Sequence, residues 1–364
     1  MLDSGCGSPL ANLPQALTAA GLSEFFACFD PLRPQPRLWR AARRRVTGTL
    51  AAVIDLCLLG QAVPLTELPG ELQRLAGHWG DCGLGSINRA GELYLGGRVL
   101  LPLMGLWVAC DPPQADPRMY LGEDSLALLV RLMPPQNAGR CLDLCAGSGL
   151  LGLQAARLRY QVIAVESNDD ACRLARLNGV LNGLSDHFEV RAGDLYGPVE
   201  SERFDWIVAN PPCLPYPESL RCPAIGSGGS DGLAFTRRIV SSLGKRLTEQ
   251  GEAQLIGMTL DKERTPNKLP EVAELLARQQ LDGTVTIISR TCLEPGTRFH
   301  ALLTQAISCA SGASVHQVAA AYAELLSRQA ATHLCRYSLR VRRGAGRLYL
   351  IDMTRGDKSL SWFV

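Results

Sequence analysis

The nine residues Cys141-Leu142-Asp143-Leu144-Cys145-Ala146-Gly147-Ser148-Gly149 constrain the fold of this chain more than any other stretch. An apolar run enters a glycine turn, and a helical pattern over 149–158 leaves it. A buried strand that delivers the chain through a tight glycine turn into a helix aims backbone N–H groups at one point. That geometry belongs to α/β sheets and suits a nucleotide-like ligand. Further on, Val208-Ala209-Asn210-Pro211-Pro212 sets an amide side chain and two prolines at a second strand end.

The rest of the chain fits this beginning. At 364 residues it is long enough for two or three domains, and 46% hydrophobic content with 20% charge supports a sizeable core. The net charge of +2 gives no argument for a long polyanionic partner, so nucleic acid is not expected. Thirteen scattered cysteines form no CxxC pair, and they read as reduced thiols with no metal site. No basic leader opens the chain and no run is long and apolar enough to span a bilayer, which points to a soluble, cytoplasmic protein without a membrane partner.

Composition shifts divide the chain into four parts. Residues 1–36 read as a helical cap that ends in a proline-rich joint. Residues 37–115 read as helix, helix and hairpin, a winged-helix-like outline serving dimerisation, as a homodimer, or substrate capping. Its helices are expected over 37–60 and 67–75, with Thr66 as the cap of the second. Residues 116–309 alternate strand and helix, the pattern of a doubly wound parallel sheet. Strands are expected at 140–145, 161–166, 187–192, 204–209, 252–258, 283–289 and 299–306, with helices at 149–158, 169–182, 231–249 and 269–280. Gly183 and Gly251 stand where helices should stop. Residues 310–364 read as a small α+β appendage: a helix near 314–334, then a hairpin of 337–341 and 347–351 turning at Gly344-Ala345-Gly346.

The glycine loop, the acids that follow it and Asn210-Pro211-Pro212 resemble the class I S-adenosylmethionine-dependent methyltransferases, in the N-methylating branch with an Asn-Pro-Pro-aromatic motif. The resemblance covers roughly 118–306. It implies a Rossmann-like sheet and S-adenosylmethionine as co-substrate. On that reading Cys145, Ala146, Gly147, Ser148 and Gly149 form the loop that holds the ligand. Asp143 orients that loop and the methionyl end. Glu166, with Ser167 beside it, takes the ribose hydroxyls. Asp194 and the Leu195 N–H face the adenine. Tyr120, before the helical segment opened by Asp124 or Ser125 as a cap, covers the sulfonium or the carboxylate. The Asn210 side chain and the Pro211 carbonyl accept hydrogen bonds from an NH2 group, Pro212 stiffens the loop, and Asn210 also borders the cofactor. Cys213 stands where the branch has its aromatic residue. This counts against nucleobase or glutamine acceptors, and Tyr216 is the candidate replacement. The glycine-rich run Gly226 to Gly232 is expected to be mobile over the site.

The expected activity is methyl transfer to a small metabolite or to a peptide or carrier-bound amine in secondary metabolism. Two alternatives stand beside it. One is cyclisation of the cofactor itself to azetidine-2-carboxylate with release of methylthioadenosine. The other is a non-catalytic winged-helix regulator.

Overall fold

A computed structural model describes residues 9–112, 121–221, 226–262, 265–266 and 269–354. The strands that build the main sheet are β1 (Arg140–Leu144), β2 (Gln161–Glu166), β3 (Phe188–Ala192), β4 (Phe204–Ala209), β5 (Leu247–Lys262), β6 (Leu281–Cys292), β7 (His333–Arg343) and β8 (Leu348–Asp352). Their spatial order is 3-2-1-4-5-7-6-8. The first five run parallel. β7 enters antiparallel between β5 and β6, and β8 joins the outer edge parallel to β6. This is the doubly wound sheet of class I methyltransferases with an added edge strand.

Successive residues of each parallel strand serve opposite faces. Cys141, Val162, Ala164, Trp206 and Val208 enter one core. Leu142, Leu144, Ile163, Val165, Ile207 and Ala209 enter the other. Both faces of β1, β2 and β4 are covered, so these strands are largely apolar, while the edge strand β3 alternates, with Glu189 exposed and Arg191 half-buried. The covering helices are α1 (Glu123–Leu129), α2 (Leu150–Arg157), α3 (Asp169–Leu181), α4 (Ala234–Val240), α5 (Leu243–Arg246) and α6 (Leu269–Ala277). Asn168 caps α3, its side chain accepting from the Asp170 and Ala171 N–H groups.

Several sequence expectations fail at the carboxyl-terminal half. Residues 299–306 are not a strand; they lie in α7 (Arg298–Ser311), capped by Thr297 and stopped by Gly312 at φ +75°. α7 and α8 (Val315–Arg328) together form the connection from β6 to β7. The segment after residue 310 is no appendage, because β7 completes the main sheet. Nor do 337–341 and 347–351 pair as a hairpin: both strands flank β6. The Asp282 carboxylate holds the crossing loop by accepting the Ala345 and Arg347 N–H groups, each at 2.9 Å. The helix expected over 231–249 breaks into α4 and α5. Gly251 is no helix stop; it sits inside β5, where the pairing with β4 shifts register between Leu247 and Glu252.

β5 is the long element of the sheet. Its parallel pairing with β4 ends at Leu255↔Ala209, while its antiparallel pairing with β7 continues to Asp261↔His333. The excess length forms an overhang beyond the carboxyl ends of β1 to β4. A third apolar cluster, including Leu260, Ile307, Val318, Tyr322 and Leu334, fastens α7 and α8 to it.

The N-terminal region has helices at Leu13–Ala19, Leu22–Ala27, Pro36–Arg43, Thr49–Cys57 and Gly70–Ala76. The helix expected over 37–60 is interrupted before Gly48, whose φ is +69°. The next begins at Gly70 behind Pro69, not at a Thr66 cap. A three-stranded sheet of Val63–Pro64, Ser86–Ile87 and Glu92–Tyr94 follows, then a hairpin of Val99–Leu103 and Leu106–Cys110. Asn178 on α3 and Asn182 at its carboxyl cap bind that hairpin as a strand edge would. Asn178 accepts from the Ala109 N–H (2.8 Å) and donates to the Ala109 and Ser148 carbonyls (3.1 and 2.9 Å). Asn182 brackets Trp107 in the same way. Among the described residues no cysteine is paired, no acid, histidine and cysteine cluster could hold a metal, and no helix is long and apolar enough to cross a membrane.

Candidate functional site

A cavity of about 460 Å³ opens at the carboxyl ends of β1, β2, β3 and β4, a size ordinary for small-molecule sites. Each strand delivers one part of its lining. β1 runs into the turn Cys145 to Ser148, β2 ends in Glu166, β3 leads to Gly193, Asp194 and Leu195, and β4 leads to Asn210.

The turn after β1 demands left-handed backbone. Gly147 and Gly149 have φ of +55° and +83°, and Cys145 adopts +57° although it carries a side chain. A Cβ on Gly149 would also lie 2.8 Å from the Phe188 ring. The Glu166 carboxylate stiffens the turn by accepting the Gly147 N–H, and it accepts the Asn168 N–H with its other oxygen, both at 2.9 Å. A carboxylate has about four lone-pair positions, so acceptor capacity remains toward the cavity.

Asp143 lies beneath this surface rather than on it. It is fully buried, and one carboxylate oxygen accepts the Gly152 N–H at 2.8 Å. Its other oxygen has no hydrogen-bond partner among the described residues. Burial raises its pKa to about 7; the Gly152 bond opposes that rise and the nearby Glu166 charge adds to it. Asp194 is exposed and ion-paired with Arg238 on α4. Leu195 is buried with φ +47°.

Asn210 is the best-oriented polar group of the site. Its side-chain Nδ2 donates to the Ser125 hydroxyl at 2.9 Å. That bond turns Oδ1 the other way, buried and without a partner among the described residues. Ser125 belongs to the first turn of α1 and is not its cap; Gly122 holds that position. The orienting serine was named in the sequence only as a capping candidate, and nothing in the spacing links it to Asn210.

Pro211, Pro212, Cys213 and Tyr216 all line the same cavity. Cys213 is buried, and desolvation raises its thiol pKa well above the ordinary value, which keeps it protonated. The Tyr216 hydroxyl donates to the Arg221 carbonyl (2.9 Å), and Tyr322 of α8 donates to the Pro215 carbonyl (2.9 Å). The glycine run expected to be mobile is stitched to this loop. Leu214 donates to Gly226, Gly228 to Leu214 and Tyr216 to Gly229 at 2.8 to 2.9 Å. Gly232 must be glycine: a Cβ there would lie 2.4 Å from the Met258 carbonyl.

The sequence-derived residues therefore converge, with three exceptions. Tyr120 lies outside the described residues, while Asp143 and Gly149 support the turn without facing the cavity. The far wall was not anticipated: Met258 on the β5 overhang, and Leu303, Ala306, Ile307 and Ala310 on α7. Their i, i+3, i+4, i+7 spacing was the available signal.

Part of the chain is similar to known methyltransferases. The family description "Methyltransferase small domain" matches residues 123–265. Those residues are similar to that domain. The match runs from α1, through the glycine turn and Asn210, to the β5 overhang. Among curated proteins, the ribosomal protein uL3 glutamine methyltransferase of Burkholderia pseudomallei is 32% identical over 155 residues, covering 37% of this chain and 50% of that protein. The release factor glutamine methyltransferase of Clostridium acetobutylicum is 34% identical over 128 residues, covering 32% and 45%. This chain thus spans about half the length of the curated relatives it matches. A solved S-adenosylmethionine-dependent methyltransferase from Agrobacterium tumefaciens aligns over 72% of this chain and 77% of its own, at 14% identity and a TM-score of 0.40.

Proposed function

We propose that the protein is an S-adenosylmethionine-dependent N-methyltransferase whose acceptor presents an NH2 group, of an amine or a primary amide, to Asn210. The observation that carries this reading is the buried Asn210 Oδ1, turned away from Ser125 and without a partner among the described residues. A buried acceptor atom is costly to leave unpaired, so an N–H donor placed there is well rewarded.

The residues around the cavity suit the donor. The turn at Cys145 to Ser148 bares backbone at the start of α2, and Glu166 keeps lone pairs for hydroxyl donors. Bound there, S-adenosylmethionine supplies an electrophilic methyl group and departs as S-adenosylhomocysteine. The chain itself contributes orientation. Asn210 accepts one acceptor N–H, the Pro211 carbonyl can accept the second, and the nitrogen lone pair is then directed at the methyl carbon. Asp124 lines the same cavity, and its carboxylate, which accepts the Ser125 N–H at 2.8 Å, is the cavity group we assign to the proton that the nitrogen must lose.

The named activity of the curated relatives, methylation of a glutamine amide, supports an amide or amine nitrogen and a peptide-borne acceptor. A small-metabolite acceptor would instead place the reaction in secondary metabolism. The test is incubation with methyl-labelled S-adenosylmethionine and separate pools of peptides and small amines, with the products mapped by mass spectrometry. Label on nitrogen in one pool, lost in Asn210→Ala, is the expected result. Methylthioadenosine formed from the cofactor alone would overturn methyl transfer in favour of cyclisation.

A further inference from the structure

The connection between β6 and β7 builds one side of the cavity from a source outside the glycine turn and the Asn210 loop. Leu303, Ala306, Ile307 and Ala310 form one stripe of α7 facing it. Leu214 and Met258 line the same cavity from the Asn210 loop and the β5 overhang. Among the described residues lining the cavity, the charged ones are Asp124, Glu166 and Asp194; Asp194 is ion-paired with Arg238, and the Arg336 guanidinium, stacked on Phe299 of α7, lies near Asp124 and Cys213 without lining the cavity. Cys213, short and buried, offers no planar surface of its own, and the rings that line the same cavity are those of Tyr216 and Phe235. The loop carrying Cys213 is anchored to α8 through the Tyr322–Pro215 bond.

We propose that α7 forms an acceptor lobe, and that the acceptor is an NH2 group borne on an uncharged aliphatic body that packs against Leu303, Ala306, Ile307 and Ala310. This inference rests on the N-methyltransferase reading and narrows it. Apolar surface moved from water onto this stripe gains the ordinary hydrophobic free energy. The two alanines set the depth of the lobe. Ala306 is exposed, so a larger side chain there projects into the open space without disturbing the α7 core contacts made by Ile307.

The test measures methylation of hexylamine and hexanamide against N-acetylglutamine and adenosine monophosphate. It compares the wild type with Ala306→Trp and Ala310→Leu, using S-adenosylhomocysteine affinity as the control for folding and for the cofactor site. The expected result is a preference of about tenfold or more for the hexyl compounds, lost by a similar factor in both variants. S-adenosylhomocysteine affinity should stay within about twofold of the wild type. Preference for N-acetylglutamine or the nucleotide, or inert hexyl compounds on protein that binds S-adenosylhomocysteine, overturns the lobe alone. So does full activity toward the hexyl compounds in both variants. If the wild type itself fails to bind S-adenosylhomocysteine, the methyltransferase reading falls first and the lobe falls with it.

Discussion

Asn210 and Ser125 divide one task between them, and single substitutions should separate their shares. Asn210→Ala is expected to leave S-adenosylhomocysteine affinity within about twofold and to lower turnover roughly a hundredfold, the scale of lost orientation. Ser125→Ala frees the amide to rotate, so a smaller loss of about tenfold is expected at unchanged affinity. Equal losses in the two variants, or a loss of cofactor binding in either, would contradict this division. Asp143 makes a prediction about pH. Its folded pKa of about 7 lies above the ordinary 3.8, so the folded protein holds a proton that the unfolded chain has released. Stability from this group therefore falls as pH rises between those values and levels off above about 7. Melting temperatures of ligand-free protein should show that fall, and Asp143→Asn should flatten it; parallel curves would exclude the assignment. The residues that sequence reading found, Glu166, Asp194 and Asn210, share one property: each closes a strand, and in a parallel sheet strand ends converge. Ser125 stayed hidden because a serine near a helix start satisfies the capping rules equally well, and only the folded chain brings it to Asn210.

Among the elements, the parallel half of the sheet was legible and the antiparallel half was not. β1, β2 and β4 are largely apolar runs, β3 alternates in the strand period, and helical patterns separate them. β7 carries a comparable pattern, yet a strand pattern says nothing about which neighbours it will have. It pairs with β5 and β6 rather than with β8, because the Asp282 carboxylate carries the chain across the start of β6. α7 was mistaken for a strand because Phe299 to Ala306 is short and apolar, a pattern that fits either state. Its Thr297 cap and Gly312 stop were the signals to weigh. The Asn178 side chain is the element-scale joint of the molecule. It is fully buried and ties the Leu106–Cys110 strand to α3 and to the Ser148 carbonyl of the glycine turn. Asn178→Ala strands three backbone groups and should cost about 2–4 kcal/mol in chemical denaturation. A cost under about 0.5 kcal/mol would show that water replaces the amide freely.

For the molecule as a whole, the N-terminal region and the catalytic sheet share a core. Leu13, Trp39, Val53 and Leu100 belong to the same apolar cluster as Leu151, Trp206 and Ile256. The domain lines read from composition therefore do not mark independent folding units at this face. A chain beginning at residue 121 should expose that face, and it is expected to aggregate or to lose protection in limited proteolysis; a soluble, cooperatively melting fragment would refute the shared core. The same arrangement explains why function is concentrated at one edge: the N-terminal region and α1 to α3 cover one face, α4 to α6 the other, and the carboxyl ends of β1 to β4 stay open beneath the β5 overhang and α7. On the proposed function, this opening grips S-adenosylmethionine through the glycine turn and Glu166. Calorimetric titration of S-adenosylhomocysteine into wild type and Glu166→Ala tests it most directly. One site per chain, weakened by about 1–3 kcal/mol in the variant, is the predicted result; no binding by the wild type, or equal affinity in both proteins, would contradict it.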